Sequence, residues 1–179
     1  MKFAATHDIA APRATVWEAL LSEAVLEECL PGCRELSGTA EDGFEATVVQ
    51  KIGPVKATFK SHVSLSEMEA PSALTLSGEG KGGAAGFAKG SARVTLEEIA
   101  EGTRLAYDVD VEIGGKLAQL GSRMIHGVTH KLSDQFFTRF KEVVEGPEEA
   151  EEPAAEESAE APKGKGWLGR MMTRKAEAE

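Results

Sequence analysis

The strongest constraint on the fold is an alternation of apolar and polar residues that extends over residues 33–113. Apolar side chains occupy every second position of several runs, for example from Val55 to Leu65. Turn-forming residues separate the runs at Glu41-Asp42-Gly43, Gly53-Pro54, Pro71-Ser72 and Glu101-Gly102. Successive side chains of a strand point to opposite faces of a sheet. The pattern therefore predicts six consecutive antiparallel strands with one apolar and one polar face.

A helical pattern follows the strands and provides a cover for the apolar face. Its apolar residues are spaced by three and four positions: Leu117, Leu120, Met124, Val128, Leu132, Phe136, Phe140 and Val143. This spacing places one stripe on a single amphipathic helix over residues 116–145. At 1.5 Å per residue such a helix is about 45 Å long, which is enough to cross the whole sheet.

The first thirty residues predict one strand and two short helices. Residues 2–9 alternate as a strand does, and Pro12 is expected at the first helical position (N1) of a helix whose apolar face is Val16, Trp17, Leu20 and Leu21. Residues 23–29 form the second helix, which Leu30-Pro31-Gly32 ends. The expected architecture is α+β: a curved antiparallel sheet of about seven strands on a long C-terminal helix, with two short helices after the first strand.

Small residues at inward strand positions indicate a cavity between sheet and helix. These positions are Ala46, Ala57, Ser61, Ala88, Gly90 and Ala92. Close packing of helix on sheet is the alternative explanation. If the cavity exists, we expect an opening near Gly114-Gly115 and a ligand-binding wall of Phe59, Val63, Leu76, Tyr107, Leu117, Leu120, Met124 and Val128.

The sequence contains no recognisable catalytic set, and none is predicted. The inward strand positions carry only Ser61 and Tyr107 as hydroxyls, and a serine without a neighbouring base is not an activated nucleophile. Tyr107 either donates a hydrogen bond to a ligand carbonyl or is an ordinary core tyrosine. Apolar walls with few polar groups favour a binding protein over an enzyme.

Two further motifs have simpler explanations. The glycine-rich residues 78–83 lack the serine or threonine that follows the lysine of a phosphate-binding loop, so they predict a hairpin loop. His126 and His130 are four residues apart, as in some metal sites, but Gly127 stands where a zinc protease has its glutamate. We expect both histidines at the surface, and no metal site.

Charge and cysteine content exclude other classes of protein. The chain has 179 residues and a net charge of −10, of which residues 1–146 carry −6 (15 basic, 21 acidic). An acidic domain argues against nucleic-acid binding. The N-terminus shows no signal-peptide pattern, and no apolar run is long enough to span a bilayer. Cys29 and Cys33 are expected to be reduced thiols in a cytoplasmic protein.

The last thirty-three residues divide into two segments of opposite charge. Residues 147–162 contain seven glutamates and no basic residue, which predicts a disordered acidic linker. Residues 163–175 contain five basic and no acidic residues and begin a basic amphipathic tail, 163–179. Its expected membrane-binding residues are Lys163, Lys165, Trp167, Leu168, Arg170, Met171, Met172 and Arg174. If this tail is helical, its apolar residues form one stripe, which suits binding to an anionic membrane or to a groove on a partner. The alternative is a tail that binds nothing.

Several segments of residues 1–145 resemble one known family. Ile9-Ala10-Ala11-Pro12, Val16-Trp17-Glu18-Ala19-Leu20 and Cys29-Leu30-Pro31-Gly32-Cys33 resemble the start of the SRPBCC (START/polyketide-cyclase-like, helix-grip) superfamily. Within it the sequence is most similar to the CoxG family of carbon monoxide dehydrogenase subunits. Residues 53–57, 86–90, 103–107 and 114–121 support the same resemblance.

The resemblance implies an accessory protein that is not itself an enzyme. It implies a carrier of a quinone-like or lipid-like molecule, with no other cofactor, at the inner face of the cytoplasmic membrane. The implied partner is a molybdenum hydroxylase of the CO dehydrogenase type. The alternatives are a recruitment adaptor without a ligand and a polyketide cyclase/aromatase-like enzyme, the second being disfavoured by the missing acid–base residues.

Overall fold

A seven-stranded antiparallel sheet forms most of the structure, a computed structural model that describes residues 1–146. The strands are β1 (Lys2–Ile9), β2 (Cys33–Thr39), β3 (Gly43–Ile52), β4 (Val55–Glu69), β5 (Ala73–Lys81), β6 (Phe87–Ile99) and β7 (Gly102–Gly114). Their order in the sheet is β1-β7-β6-β5-β4-β3-β2. The predicted meander over β2–β7 is confirmed, and β1 joins it beside β7, with His7 opposite Leu105.

Three helices complete the fold of residues 1–146: α1 (Arg13–Leu20), α2 (Glu23–Cys29) and α3 (Ser122–Glu145). Short 3₁₀ turns lie at Gly83–Ala85 and Ala118–Leu120. Pro12 is the N-cap residue of α1, one position before the predicted N1 site. The hydroxyl of Ser22 accepts a hydrogen bond from the backbone N–H of Val25 at the start of α2. The predicted α+β architecture, a curved sheet against a long C-terminal helix, is confirmed.

The long helix begins six residues later than predicted. Gly121 has a φ of +85°, a conformation that favours glycine and that interrupts the helix before Ser122. Leu117 and Leu120 therefore lie outside α3, in or beside the preceding 3₁₀ turn. At 1.5 Å per residue, the 24 residues of α3 span about 36 Å.

The apolar stripe of α3 agrees with the predicted one at Val128, Leu132, Phe136 and Phe140 but differs near the start of the helix. Met124 is 41% exposed, whereas Ile125, Phe137 and Phe140 are buried. Once Leu117 and Leu120 are removed from the helix, the phenylalanines near its C-terminus determine which face is turned to the sheet. The stripe prediction was wrong at Met124 and omitted Ile125 and Phe137.

The chain is packed densely at one end, which we call the core end. The turns 39–43, 69–73 and 99–102 lie there, and α3 ends there, where the Glu145 carboxylate accepts a hydrogen bond from the Ala10 N–H (2.8 Å). The buried cluster consists of Ile9, Ala11, Val16, Trp17, Ala19, Cys29, Leu74, Val94, Leu96, Leu105, Phe137 and Phe140. It includes α1 and α2 residues, which fill the space between sheet and α3.

One buried hydrogen bond fixes the approach to α1. The hydroxyl of Thr103, which is fully buried, donates to the carbonyl oxygen of Ala11 at 2.8 Å.

Burial in the core raises the pKa of the Cys29 thiol to about 11, with a smaller contribution from the charge of Glu28. Cys29 and Cys33 are both free thiols. Cys29 therefore behaves as a small apolar core residue.

The opposite end, which we call the cavity end, contains the turns 52–55, 81–87 and 114–122. The backbone N–H of Leu117 donates to the carbonyl of Ala85 (3.0 Å), and a Cβ on Gly115 would lie 2.5 Å from the Gly86 Cα. The two loops are therefore in contact. This contact joins the two connections beside Gly114-Gly115, and an opening of the cavity there stays a prediction.

Replacement of Phe140 by alanine tests the importance of the core end. Phe140 has 0% exposure, so Phe140→Ala should lower the free energy of unfolding by about 3–5 kcal/mol. Thr138→Ala, an exposed change on the same helix, should alter it by less than about 0.5 kcal/mol. Urea denaturation of both variants gives the comparison. A small loss in Phe140→Ala would contradict the placement of the core.

Candidate functional site

A cavity of about 630 Å³ lies between the concave face of the sheet and α3. Its apolar walls come from the sheet (Val48, Ile52, Phe59, Val109, Val111 and Ile113) and from the helical side (Leu117, Ile125, Val128, Leu132 and Phe136). A second compartment of about 330 Å³ adjoins it toward the core end, and the two share Tyr107, Ala92 and Phe136 among their walls. The combined space is long, with a narrower, almost wholly apolar inner part.

Small residues on neighbouring strands create this space. Ser61, Gly78, Gly80, Ala88, Gly90 and Ala92 line the larger compartment, and Ala46 lines the inner one. A Cβ on Gly78 would lie 2.9 Å from Cγ2 of Val63, so glycine is required for the strands to pack here. Ala57 lines neither compartment, unlike the other small residues that the sequence singled out.

The glycine-rich segment forms part of this wall. Residues 78–81 belong to β5, where Gly78 pairs with Gly90 and Gly80 with Ala88. The prediction of a hairpin loop over residues 78–83 was therefore wrong for its first four residues. Because glycine has no side chain, the backbone of β5 faces the cavity here, and no side chains fill the space beside it.

Six of the eight residues predicted to bind a ligand line the cavity. They are Phe59, Val63, Leu76, Tyr107, Leu117 and Val128. Leu120 and Met124 do not line it, because Gly121 interrupts the helix that was expected to direct both inward. The predicted linker 147–162 and tail 163–179 lie outside the described residues. So do the predicted membrane-binding residues of the tail: Lys163, Lys165, Trp167, Leu168, Arg170, Met171, Met172 and Arg174.

Sequence reasoning omitted the polar groups that α3 and the α2–β2 connection bring to the cavity. The hydroxyls of Tyr107 and Ser133 form a hydrogen bond of 2.6 Å, and both residues line the cavity. The side-chain amide of Gln50 donates to the carbonyl oxygen of Pro31, and the N–H of Val49 donates to that of Gly32. These bonds hold the 30–32 connection against β3 as a wall. Only the helical spacing of Ser133 from Thr129 and Phe136 could have indicated its inward position.

His7 lies beside this hydroxyl pair in an aromatic stack. Its ring is stacked on Phe137 with centroids 3.8 Å apart, and Tyr107 lies 6.0 Å away. The Nε2 atom is buried without a hydrogen-bond partner. Burial lowers the pKa of His7, the charge of Lys141 lowers it further, and Asp134 opposes the shift. His7 is therefore neutral at physiological pH.

A smaller polar cleft of about 210 Å³ lies on the other side of the Tyr107–Ser133 pair, between β1 and α3. Lys2, His126 and His130 line it. His130 is exposed, as predicted, but His126 is half-buried, and its ring lies 4.7 Å from that of Phe3. The expectation that both histidines face water was wrong for His126, because β1 covers that side of α3.

Residues 1–146 were expected to contain no metal site. No group of three or more His, Cys, Asp or Glu side chains in residues 1–146 is placed to hold a metal ion. The hydroxyl of Ser133 is paired with another hydroxyl and not with a base. No helix in this part of the chain is long and apolar enough to cross a membrane.

A sheet that grips a long helix around an apolar cavity defines a helix-grip protein of the SRPBCC type. The chain belongs to the CoxG family of carbon monoxide dehydrogenase subunits, and the model of this family matches residues 6–145. No curated protein matches the chain.

Solved structures share the fold. A conserved protein from Geobacillus kaustophilus is 27% identical, with a TM-score of 0.76 over 81% of this chain and 95% of its own. An uncharacterised protein from Rhizobium leguminosarum is 13% identical, with a TM-score of 0.65 over 81% and 94%. A protein from Rhodobacter sphaeroides is 17% identical, with a TM-score of 0.60 over 80% and 92%. The last two likenesses concern the fold alone.

His7 makes the stability of the domain depend on pH. Because the folded-state pKa of His7 lies below its ordinary value of 6.5, the folded form binds fewer protons than the unfolded form. The contribution of neutral His7 to the free energy of unfolding is therefore complete above pH 6.5. It is lost as the pH falls below 6.5, because the unfolded chain then binds a proton more readily than the folded one. Thermal unfolding should show a smaller loss of stability between about pH 7.5 and about 5.5 in His7→Phe than in the wild type. Parallel pH profiles would contradict this assignment.

Proposed function

We propose that the protein is a non-catalytic carrier that holds a hydrophobic, quinone-like or lipid-like molecule in the cavity. The observation that carries this proposal is the cavity itself: about 630 Å³, with mostly apolar walls. Sites for small organic ligands typically have volumes of about 300–1,000 Å³ and few polar groups. A well-packed core contains few voids larger than a water molecule, so a space of this size is unusual unless it has a use.

The distribution of polar groups suggests how such a ligand would lie. The inner compartment is lined by residues such as Leu36, Phe44 and Leu74, and it suits an aliphatic or isoprenoid chain. Tyr107 lines both compartments and Ser133 lines the larger one, and their hydroxyls can hydrogen-bond a carbonyl oxygen. A quinone has a carbonyl-bearing ring and an apolar chain, and it fits both features.

Family membership supports the rest of the proposal. The family is named for a subunit of carbon monoxide dehydrogenase, and we propose that this chain serves a molybdenum hydroxylase of that type as an accessory. An accessory that carries a quinone would link the hydroxylase to the electron carriers of a membrane. The basic tail, 163–179, would hold the carrier at the cytoplasmic membrane surface by charge attraction and apolar burial.

Replacement of Ala92 by phenylalanine tests whether the cavity binds a hydrophobic ligand. Ala92 lines both compartments, so Ala92→Phe should reduce the affinity for a short-chain ubiquinone analogue by more than about tenfold. Its stability should change by less than about 1 kcal/mol because the ring enters the cavity, whereas overpacking of a filled core costs about 1–3 kcal/mol. Calorimetric titration and thermal unfolding give the two values.

Tyr107→Phe is the matched change, since it removes one hydroxyl and preserves the ring. It should weaken binding of the quinone analogue by about two- to tenfold, the effect of one hydrogen bond. Binding of an alkane-like analogue without carbonyls should not change. A wild-type protein that binds neither analogue, combined with lost stability in Ala92→Phe, would refute the carrier and leave a recruitment adaptor.

Removal of the tail tests the membrane proposal. A chain that ends at Gly146 should co-sediment less with vesicles containing phosphatidylglycerol than the full chain does. Binding of the full chain should weaken steeply as salt is added, because screening reduces attraction between exposed charges. Vesicles of phosphatidylcholine alone are the control. Equal sedimentation of the two chains would contradict this role of the tail.

A further inference from the structure

We infer that the cavity end of the domain is itself a docking surface for an anionic lipid bilayer. The inference deepens the proposed carrier function, on which it rests, by stating where the ligand enters. It depends only on residues 1–146 and is separate from the tail.

The two ends of the domain carry charges of opposite sign. Residues 46–66, 79–90 and 112–125, which contain the three connections of the cavity end, hold seven Lys or Arg and two acidic residues, Glu79 and Glu112. Residues 39–43, 67–73 and 97–102, at the core end, hold seven Asp or Glu and no Lys or Arg. A net acidic domain therefore presents a basic surface at one end only. Its field orients that end toward a negatively charged surface.

Two of these seven basic residues, Lys81 and Lys89, form ion pairs with Glu79 and Glu112, and the other five form none within residues 1–146. Lys51 and Lys56 are exposed and stand directly opposite each other on β3 and β4, and like charges in that position destabilise a sheet. Within the described part of the chain, neither they nor the exposed Lys116 and Arg123 take part in an ion pair. Their arrangement is explained by an external anionic partner.

Exposed apolar residues lie among these charges. Met124, with 41% exposure, is one of two exposed large apolar side chains in residues 1–146. It packs over the β3–β4 turn, where a Cβ on Gly53 would overlap its sulfur atom. Pro54 in the same turn is also exposed. Apolar residues surrounded by lysine and arginine are typical of surfaces that enter the headgroup region of a bilayer.

The cavity reaches the same end of the molecule. Ile52, Leu117 and Ile125 line it there, immediately inside the surface formed by Pro54 and Met124. The contact of Met124 with the β3–β4 turn joins that turn to the first turn of α3. A ligand that is insoluble in water must come from an apolar phase, and this position lets it pass from lipid to cavity without crossing water. That is the reason to prefer a bilayer to an acidic protein as the partner.

Ligand transfer from vesicles to the full-length chain tests the inference. The donor is vesicles that contain phosphatidylglycerol and a short-chain ubiquinone analogue, and the analogue recovered with the protein is measured over time. Lys51→Glu/Lys56→Glu should slow transfer by about thirtyfold or more, because each basic side chain near an anionic leaflet contributes about fivefold to binding. Lys131→Glu/Arg139→Glu makes the same change of charge on exposed positions of α3 farther from the cavity end, and it should transfer as the wild type does.

Met124→Asp separates insertion from charge attraction. It should slow transfer from vesicles of phosphatidylcholine as well as from anionic ones, because a carboxylate does not enter the headgroup region readily. None of the substituted residues lines the cavity, so uptake of the analogue from water should equal that of the wild type in every variant. Transfer by Lys51→Glu/Lys56→Glu at the rate of its charge-matched control would overturn the docking surface.

The two proposals fail in different ways. If the wild type takes up no analogue from water, the carrier function is refuted, and co-sedimentation of the same variants with anionic vesicles still tests the surface. In that case weaker sedimentation of Lys51→Glu/Lys56→Glu than of its control supports docking. Equal sedimentation of the two overturns it.

Discussion

Packing of α3 against the sheet at the core end is the interaction on which the rest of the structure depends. Phe137 and Phe140 are buried there with residues of α1 and of strands β1, β5, β6 and β7. This contact fixes the rotation of α3 and the distance between helix and sheet. The helix is about 36 Å long, so its attachment at one end also fixes its position at the other. The cavity exists because the helix is held in place there while the facing strands carry small residues.

This arrangement separates stability from binding within one domain. The core end contains the dense apolar cluster and the buried bond from Thr103 to Ala11. The cavity end contains the apolar walls, the unpaired lysines and the glycine-rich connections. A substitution that alters the ligand or the docking surface therefore affects few of the contacts that keep the chain folded.

Much of the fold could be predicted from the sequence because its two periodicities are long and uninterrupted. The strands and the long helix follow from them, whereas the family was indicated by the resemblance of separate segments such as Cys29-Leu30-Pro31-Gly32-Cys33. The start of α3 could not be predicted, since Gly121 interrupts a stripe that continues in the sequence through Leu117 and Leu120. The same residue explains why Leu120 and Met124 are absent from the cavity. Gly78 and Gly80 were assigned to a loop because glycine favours turns locally, and only the pairing with β6 shows that they belong to a strand.

The difference in packing between the two ends has a consequence for the motions of the domain. Regions with few buried apolar contacts open locally at a lower free energy than the whole chain unfolds. Met124 at the start of α3 contacts the β3–β4 turn, and neither of them belongs to the phenylalanine cluster. Entry of a large guest and global unfolding are thus governed by separate barriers. The cavity end, where the ligand would bind, can open locally while the core end keeps the native topology.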